Sequence, residues 1–522
     1  MVKIKNMFEP NALYYTDAYK VGHKRMLAKG TKRLYGTCIP RSLKHGPKGA
    51  THVVSFGQRM AWRWIHDVFE KQFFSLSLHE AIEFGKDMSL MLGQQYDYEH
   101  FVELHKLGYL PIKVRSLDEG VETLPNIPHS DFINTKDGFA WLTLYLETIF
   151  SSLMWKPSVA ATIAKQYRRN AIEWVKKTDP INLWLVDYMC HDFSARGLSP
   201  HDMVSVGLGH ATSFRGSDTL IAIPAARYYY GEPDNEVIIN SVNASEHSVS
   251  TTKIFTVGEK QMILDWLKEF PTGILSVVAD TFDLWKLITE YLTDPEVKNA
   301  ILARNGKLVI RPDSGIPEEI ICGTGFHRPS TGQPDYDWTN TPPRSQWYPS
   351  EKGVIELLWD IFGGTINEQG YKILDSHIGA IYGDSINLDR QVEMYKRLEA
   401  KGFASTNIVL GVGSFTYAHT TRDTIGMAIK GAWFETDEGQ FDIYKDPITD
   451  DGTKKSLKGF QSVHYDTVKN EYVVTSEVSE EEHNSPFNEL KVIYQDGIFY
   501  NQMRFSTIRD NLKKSEAHLE NV

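Results

Sequence analysis

The sequence predicts an α/β protein: an irregular parallel (β/α) barrel over residues 183–435, packed on an α+β domain formed by both chain ends, residues 1–182 and 436–522. Three observations predict it. From about residue 183, short apolar runs end in polar or glycine-bearing tips and lead into helical periodicity, the texture of repeated βαβ units. Before that point strands and helices mix without regular alternation, and beyond about residue 436 the chain reads as hairpins. A chain of 522 residues also exceeds what one small core can hold.

In chain order, TKRLYGTCIPRS reads as a strand and GQRMAWRWIHDVFEKQF as an amphipathic helix. Pro157 stands where a helix can begin, and SVAATIAKQYRRNAIEWVKK carries helical periodicity until Asp179-Pro180 stops it. The clearest barrel strands are ILSVVAD (274–280), KLVIRPDSG (307–315), IGAIYGDS (378–385) and NIVLGVGS (407–414). LDRQVEMYKRLEAKG is a helix with Asn387 as its N-cap and Gly402 just past its end. Residues 323–352 are rich in proline, glycine and polar residues and read as a surface insertion. Asp496-Gly497 between two β-rich runs signals a hairpin, and VHYDTVKNEYVVTS looks similar. The last 20 or so residues read as a helix or a loose tail.

A chain that is 41% hydrophobic and 24% charged is not a disordered one. The net charge of −11 argues against a general nucleic-acid binder, but a few arginines in a cleft can still hold a small anion. Cys38, Cys190 and Cys322 lie far apart with no CxxC pair, which favours a reducing compartment over a disulfide framework or structural zinc. The N-terminal stretch lacks a signal-peptide run and no segment has the length of a membrane span, so a cytoplasmic location is expected.

In a parallel barrel the C-terminal strand ends converge on one mouth, where chemistry sits. Here those tips carry Asp280, Arg311, Asp313, Gly383, Asp384, Gly413 and Ser414. The run LVIRPDSG holds a guanidinium and a carboxylate two residues apart beside a glycine. Arginine suits a planar or anionic group, and the carboxylate suits Mg²⁺ or ribose hydroxyls; a surface Arg–Asp pair is the plainer reading. Gly411-Val-Gly413 follows an apolar run and offers either a phosphate-binding backbone or a tight turn. No P-loop, GxSxG, HExxH or complete GxGxxG is present. His247 in NASEHS is either structural or catalytic, and Asp218, Phe193 and Arg196 cannot be told from loop residues by spacing.

At these same positions the sequence resembles the nicotinamide phosphoribosyltransferases of the type II phosphoribosyltransferase family. The ordered series TDAYKVGHK, YLPIKVRSLDEGVETLP, HDFSARG, SFRGSDT, SEHS, SVVADTFD, IRPDSG, GDSIN, TRD and YKDP carries the resemblance over almost the whole chain. It implies transfer of a phosphoribosyl group from phosphoribosyl pyrophosphate to nicotinamide in NAD salvage. Nicotinamide would lie between Phe193 and Tyr19 of a second subunit, with Arg311, Asp218 and Tyr188 around it. Asp218 would accept from the carboxamide and repel nicotinate. Ser276, Gly383, Asp384, Gly413 and Ser414 would meet the phosphate of the sugar. Arg196, Arg41, Arg422 and Lys430 would hold the pyrophosphate. Asp313 would face the ribose or a Mg²⁺ carried largely by the pyrophosphate. ATP would phosphorylate His247, oriented by Asp280, and a homodimer would share its two active sites. Ser414 and Phe415 stand where the family often has glycines, Gly379 where animal members usually carry arginine, and the insertion is outside the family pattern. Nicotinate phosphoribosyltransferase and a non-catalytic protein on the same scaffold are the rival readings.

Overall fold

In the computed structural model, which describes residues 10–93, 98–325, 343–445 and 457–516, the chain divides into two compact units. One comprises residues 163–223 and 237–419; the other comprises 1–162, 224–236 and 420–522.

The first unit is built on a parallel sheet. Its strands are β1 (Cys190–Phe193), β2 (Asn243–Ala244), β3 (Thr272–Val278), β4 (Asn305–Arg311), β5 (Ile378–Tyr382) and β6 (Ile408–Gly413), in the order β1-β6-β5-β4-β3-β2. Every neighbouring pair is parallel. The two edges do not remain open. Segment 215–218 bridges Asp192 of β1 through Ser217, and Gly216 bridges Asn240, just ahead of β2. Backbone bonds from Asp192 N–H to the Gly216 carbonyl (3.1 Å) and from Ser217 N–H to the Asn240 carbonyl (3.0 Å) satisfy edge groups that would otherwise lie bare. The sheet therefore curls into the irregular barrel that the strand–helix alternation predicts.

The four strands with clear sequence signals appear where expected, and register sets which residues share a face. Ser276 lies level with Val309, Val278 with Arg311, and Gly379 with Val309. Gly411 lies level with His191, and Gly413 with Phe193. The helix Leu388–Ala400 has the expected ends: Asn387 accepts from the Arg390 N–H at 2.9 Å, and Gly402 takes φ +75°. Gly379 is crossed by the stem of Lys307, whose Cδ would lie 3.2 Å from an added Cβ. Burial lowers the pKa of that lysine.

Pro157 does not begin a helix. The helix runs unbroken from Ala140 to Thr178 with Pro157 inside it. An interior proline costs about 3 kcal/mol. Leu142, Leu146, Ile149, Phe150 and Met154 in the preceding turns are buried, and their tertiary packing outweighs that cost. The expected stop at Asp179-Pro180 holds.

The second unit carries an antiparallel sheet from both chain ends. Its strand order is Gly439–Asp442, Met427–Thr436, Arg33–Pro40, Ser130–Asn134, Ile112–Ser116, Lys491–Gln495 and Ile498–Phe499. Asp496 (φ 51°) and Gly497 (φ 87°) turn the last hairpin as their sequence predicts. Phe460–Asp466 pairs with Glu471–Val478 in the second expected hairpin. The fully buried Glu119 accepts from the Gly57 N–H (3.1 Å), the Arg59 N–H (2.8 Å) and the Tyr230 hydroxyl (2.8 Å), so its charge is satisfied. The insertion ends in a short helix, Pro349–Lys352, and Arg344 clamps Glu356 with two bonds of 2.6 and 2.7 Å. Its residues 326–342, Asp446 and Pro447 of the YKDP segment, and the final residues 517–522 lie outside the described residues.

Candidate active site

Strand β1 places His191 and Phe193 two residues apart, hence on one face, with ring centroids 4.7 Å apart. Phe193 lies across Gly411: a Cβ there would meet its ring at 2.6 Å. Beside β1, Asp218 is anchored by its N–H to the Asp192 carbonyl at 3.0 Å. Its Oδ1 accepts from His191 Nε2 at 3.1 Å and from the Ser241 hydroxyl. Burial pushes the Asp218 pKa up, but the bonds from His191 and Ser241 and the charges of His191 and Arg311 outweigh burial and hold it below the ordinary value. Arg311, at the tip of β4, gives Nη2 to the Ser245 carbonyl at 2.8 Å, while its buried Nε has no partner among the described residues. An aromatic face, an ionised carboxylate and a guanidinium thus stand together. That set suits a flat ring bearing a group that both donates and accepts hydrogen bonds.

Just past β3, Asp280 joins the neighbouring tip. Its Oδ2 accepts from the Asp313 N–H (2.8 Å) and the Ser314 hydroxyl (2.5 Å). Its Oδ1 lies 3.3 Å from His247 Nε2, close enough for an ion pair, yet without hydrogen-bond geometry. His247 is the first residue of the helix His247–Val257. The Tyr382 hydroxyl donates to the Gly315 carbonyl, and its pKa is raised by burial and then by the charges of Asp384, Asp280 and Asp313. Three expected carboxylates therefore gather here.

Gly383 permits that gathering. A Cβ on it would stand 2.7 Å from Asp313 Oδ1. For the reaction that the sequence resemblance implies, Gly383→Ala should displace Asp313 and raise KM for phosphoribosyl pyrophosphate about tenfold while leaving KM for nicotinamide unchanged. Steady-state kinetics with each substrate varied checks this; an equal rise in both KM values would contradict it.

The remaining expected residues are more dispersed. Ser276 is buried in β3, and its carbonyl accepts from the Ser245 N–H at 3.0 Å. Ser414 opens the short helix Ser414–Ala418 immediately after Gly413, and Asp384 is exposed. Arg196 is exposed in the turn Ala195–Gly197 after β1. Tyr188 packs edge-on to Trp184 at 6.5 Å.

Tyr19, Arg41, Arg422 and Lys430 belong to the other unit. There, burial and then the charges of Arg41, Lys445 and Arg422 lower the pKa of Lys430, against an opposing pull from Glu147. Three of the expected cations are thus close together. Lys430 Nζ lies 4.0 Å from Glu147, which also binds Lys20 at 3.1 Å, and Arg422 lies 3.7 Å from Asp423. Arg41 Nε donates to the Gly426 carbonyl at 3.4 Å. A cluster of cations of this kind suits an anion. Tyr19 is 61% exposed, with its ring 5.2 Å from that of His23.

Sequence reasoning missed His191, Ser241, Lys445 and Glu147. His191 was signalled by its spacing, since alternation along a strand puts it on the face of Phe193; Ser241, Lys445 and Glu147 had no such signal. All three cysteines are buried and unpaired, with thiol pKa values raised by burial, Cys322 to about 12, so none is a ready nucleophile. Among the described residues no three His, Cys, Asp or Glu side chains form a metal-holding group, and no helix is long and apolar enough to cross a membrane.

Residues 188–504 match the family model described as the nicotinate phosphoribosyltransferase (NAPRTase) family. A relative from Acinetobacter baylyi named nicotinamide phosphoribosyltransferase is 35% identical, covering 97% of this chain and 97% of its own. One of the same name from Mycoplasma pneumoniae is 31% identical over 85% of this chain and 93% of its own. In fold, the chain is similar to a nicotinate-nucleotide pyrophosphorylase from Pyrococcus furiosus (TM-score 0.53, 15% identity, 99% of this chain and 98% of that one). It is also similar to human nicotinic acid phosphoribosyltransferase (TM-score 0.50, 13% identity, 96% and 93%). With the barrel and its polar tips in place, these similarities make the chain a member of the nicotinate phosphoribosyltransferase (NAPRTase) family of phosphoribosyltransferases.

Proposed function

We propose that this enzyme transfers the 5-phosphoribosyl group from phosphoribosyl pyrophosphate to nicotinamide, giving nicotinamide mononucleotide and pyrophosphate in NAD salvage. The observation that carries the choice of base is Asp218, an ionised carboxylate beside Phe193 and Arg311. A carboxamide NH₂ donates to it. Nicotinate would bring a second negative charge to the same place, and a like-charge contact rejects a ligand strongly. The names of the relatives agree with this reading.

In this mechanism the ring stacks on Phe193, and Arg311 takes the amide oxygen. Stacking contributes about 0.5–1.5 kcal/mol beyond area burial. The backbone at Gly383-Asp384 and Gly413-Ser414, with Ser276, receives the 5′-phosphate. Arg196, Arg41, Arg422 and Lys430 receive the pyrophosphate and stabilise the charge it gains as the C1′–O bond breaks. The ring nitrogen then closes on an oxocarbenium-like carbon, so the protein acts mainly by positioning. Asp313 fits a hydrated Mg²⁺, which binds through one or two carboxylates and substrate phosphates. When bound, Mg²⁺ would neutralise charge on the pyrophosphate.

His247 is proposed as the site of phosphorylation by ATP. Asp280 facing Nε2 leaves Nδ1 to attack the γ-phosphorus, forming N–P as the bond to ADP breaks. The enzyme is further proposed to be a homodimer whose second copy supplies Tyr19 and Arg41 to each site. The expected result is a dimer by sedimentation in the active preparation; a fully active monomer would overturn it.

The depressed Asp218 pKa also predicts a pH profile. A carboxylate with a lowered folded-state pKa keeps its ionised interactions as pH falls, losing them only on passing that lowered value. Preference for nicotinamide should therefore stay flat from about pH 8 to about pH 5. Competition between the two bases across that range tests it, and loss of preference near the ordinary histidine range would count against Asp218.

A further inference from the structure

We infer that His191 and Ser241 are positioning residues for base selectivity: together they hold one oxygen of Asp218 so that the other faces the substrate amide. The inference rests on the base pocket proposed above and adds what sets its orientation.

His191 Nε2 and the Ser241 hydroxyl both reach Asp218 Oδ1, the former at 3.1 Å. A carboxylate can only accept, so Nε2 carries the proton. Both donors on one oxygen leave Oδ2 for a ligand, and the Asp218 side chain is 45% exposed, so that oxygen is reachable. Among the described residues these two are the hydrogen-bond donors to the Asp218 carboxylate, whose terminal torsion is intrinsically broad.

The His191 ring is itself firmly seated. Its side chain is only 11% exposed. The Phe193 ring lies 4.7 Å from it, and the backbone of Gly216 comes so close that a Cβ there would stand 2.9 Å from Nδ1. The two donors come from different parts of the barrel wall, β1 and the stretch before β2, so the orientation of Asp218 reports the closure of the barrel between them.

The test compares nicotinamide and nicotinate as substrates of the full-length enzyme for His191→Ala, His191→Gln, Ser241→Ala and wild type, with thermal unfolding as a check on folding. His191→Ala and Ser241→Ala should each raise KM for nicotinamide about tenfold and narrow the preference over nicotinate, with KM for phosphoribosyl pyrophosphate unchanged. His191→Gln, which restores an N–H donor, should recover most of the preference. A merely structural histidine would lower kcat for both bases alike. If His191→Ala fails to fold, the exposed Ser241 gives the same readout. Preference intact in Ser241→Ala and in a folded His191→Ala would overturn the positioning role, as would a glutamine variant no better than alanine. A wild-type enzyme without preference would instead remove the proposed base pocket, a separate result visible before any variant is made.

Discussion

Arg311→Ala is expected to lower kcat/KM for nicotinamide by about a hundred- to a thousandfold, the usual cost of removing a preorganised donor from a reacting site. Arg311 stands at the junction of both halves of the barrel-mouth site. Its guanidinium is fixed by the Ser245 carbonyl, helps to hold Asp218 ionised, and presents a buried Nε with no partner among the described residues. Removing it takes a donor from the base and leaves Asp218 with less compensation. Arg311→Lys should recover little, because an ammonium cannot reproduce a planar fork that bonds Ser245 and keeps further N–H donors in the same plane. Steady-state kinetics with both bases measures this; a lysine variant near wild-type activity would contradict it.

The second large effect is expected at His247. His247→Ala should lose all stimulation by ATP and all acid-labile phosphate incorporated from γ-labelled ATP, while transfer without ATP persists. The geometry asks for this separation, since His247 contacts Asp280, whereas the residues proposed to bind the base are Phe193, Asp218 and Arg311. Asp280→Asn should reduce phosphate incorporation about tenfold or more, because the neutral amide stabilises a protonated Nε2 less well than a carboxylate. Equal ATP stimulation in wild type and His247→Ala would assign the ATP effect elsewhere.

Much of this architecture was legible because its signals are local. Asn387 and Gly402 mark their helix by capping chemistry, Asp496-Gly497 their turn by positive φ, and the tips at 280, 311–313 and 383 their strands by abrupt polarity. What was not legible depends on distant contacts. The strand β2 and segment 215–218 are too short for periodicity, and only the bridges at Ser217 and Asn240 make them part of the barrel. Pro157 invites a helix start, and only the burial of the turns before it overrides that preference. At the site, Arg311 and Asp313 stood out in one motif, but the pairing of Asp280 with the Asp313 backbone joins tips 33 positions apart. His191 passed unnoticed beside Phe193 because its role appears only once Asp218 is folded against it.

The most direct test of the central claim is base-dependent pyrophosphate release with phosphoribosyl pyrophosphate and Mg²⁺, offering nicotinamide and nicotinate in parallel, with wild type beside Asp218→Asn. The expected result is release with nicotinamide in wild type, almost none with nicotinate, and a narrowed gap in the asparagine variant, which lacks the repelling charge. Equal or greater turnover of nicotinate by wild type would contradict the role given to Asp218 and the base it selects.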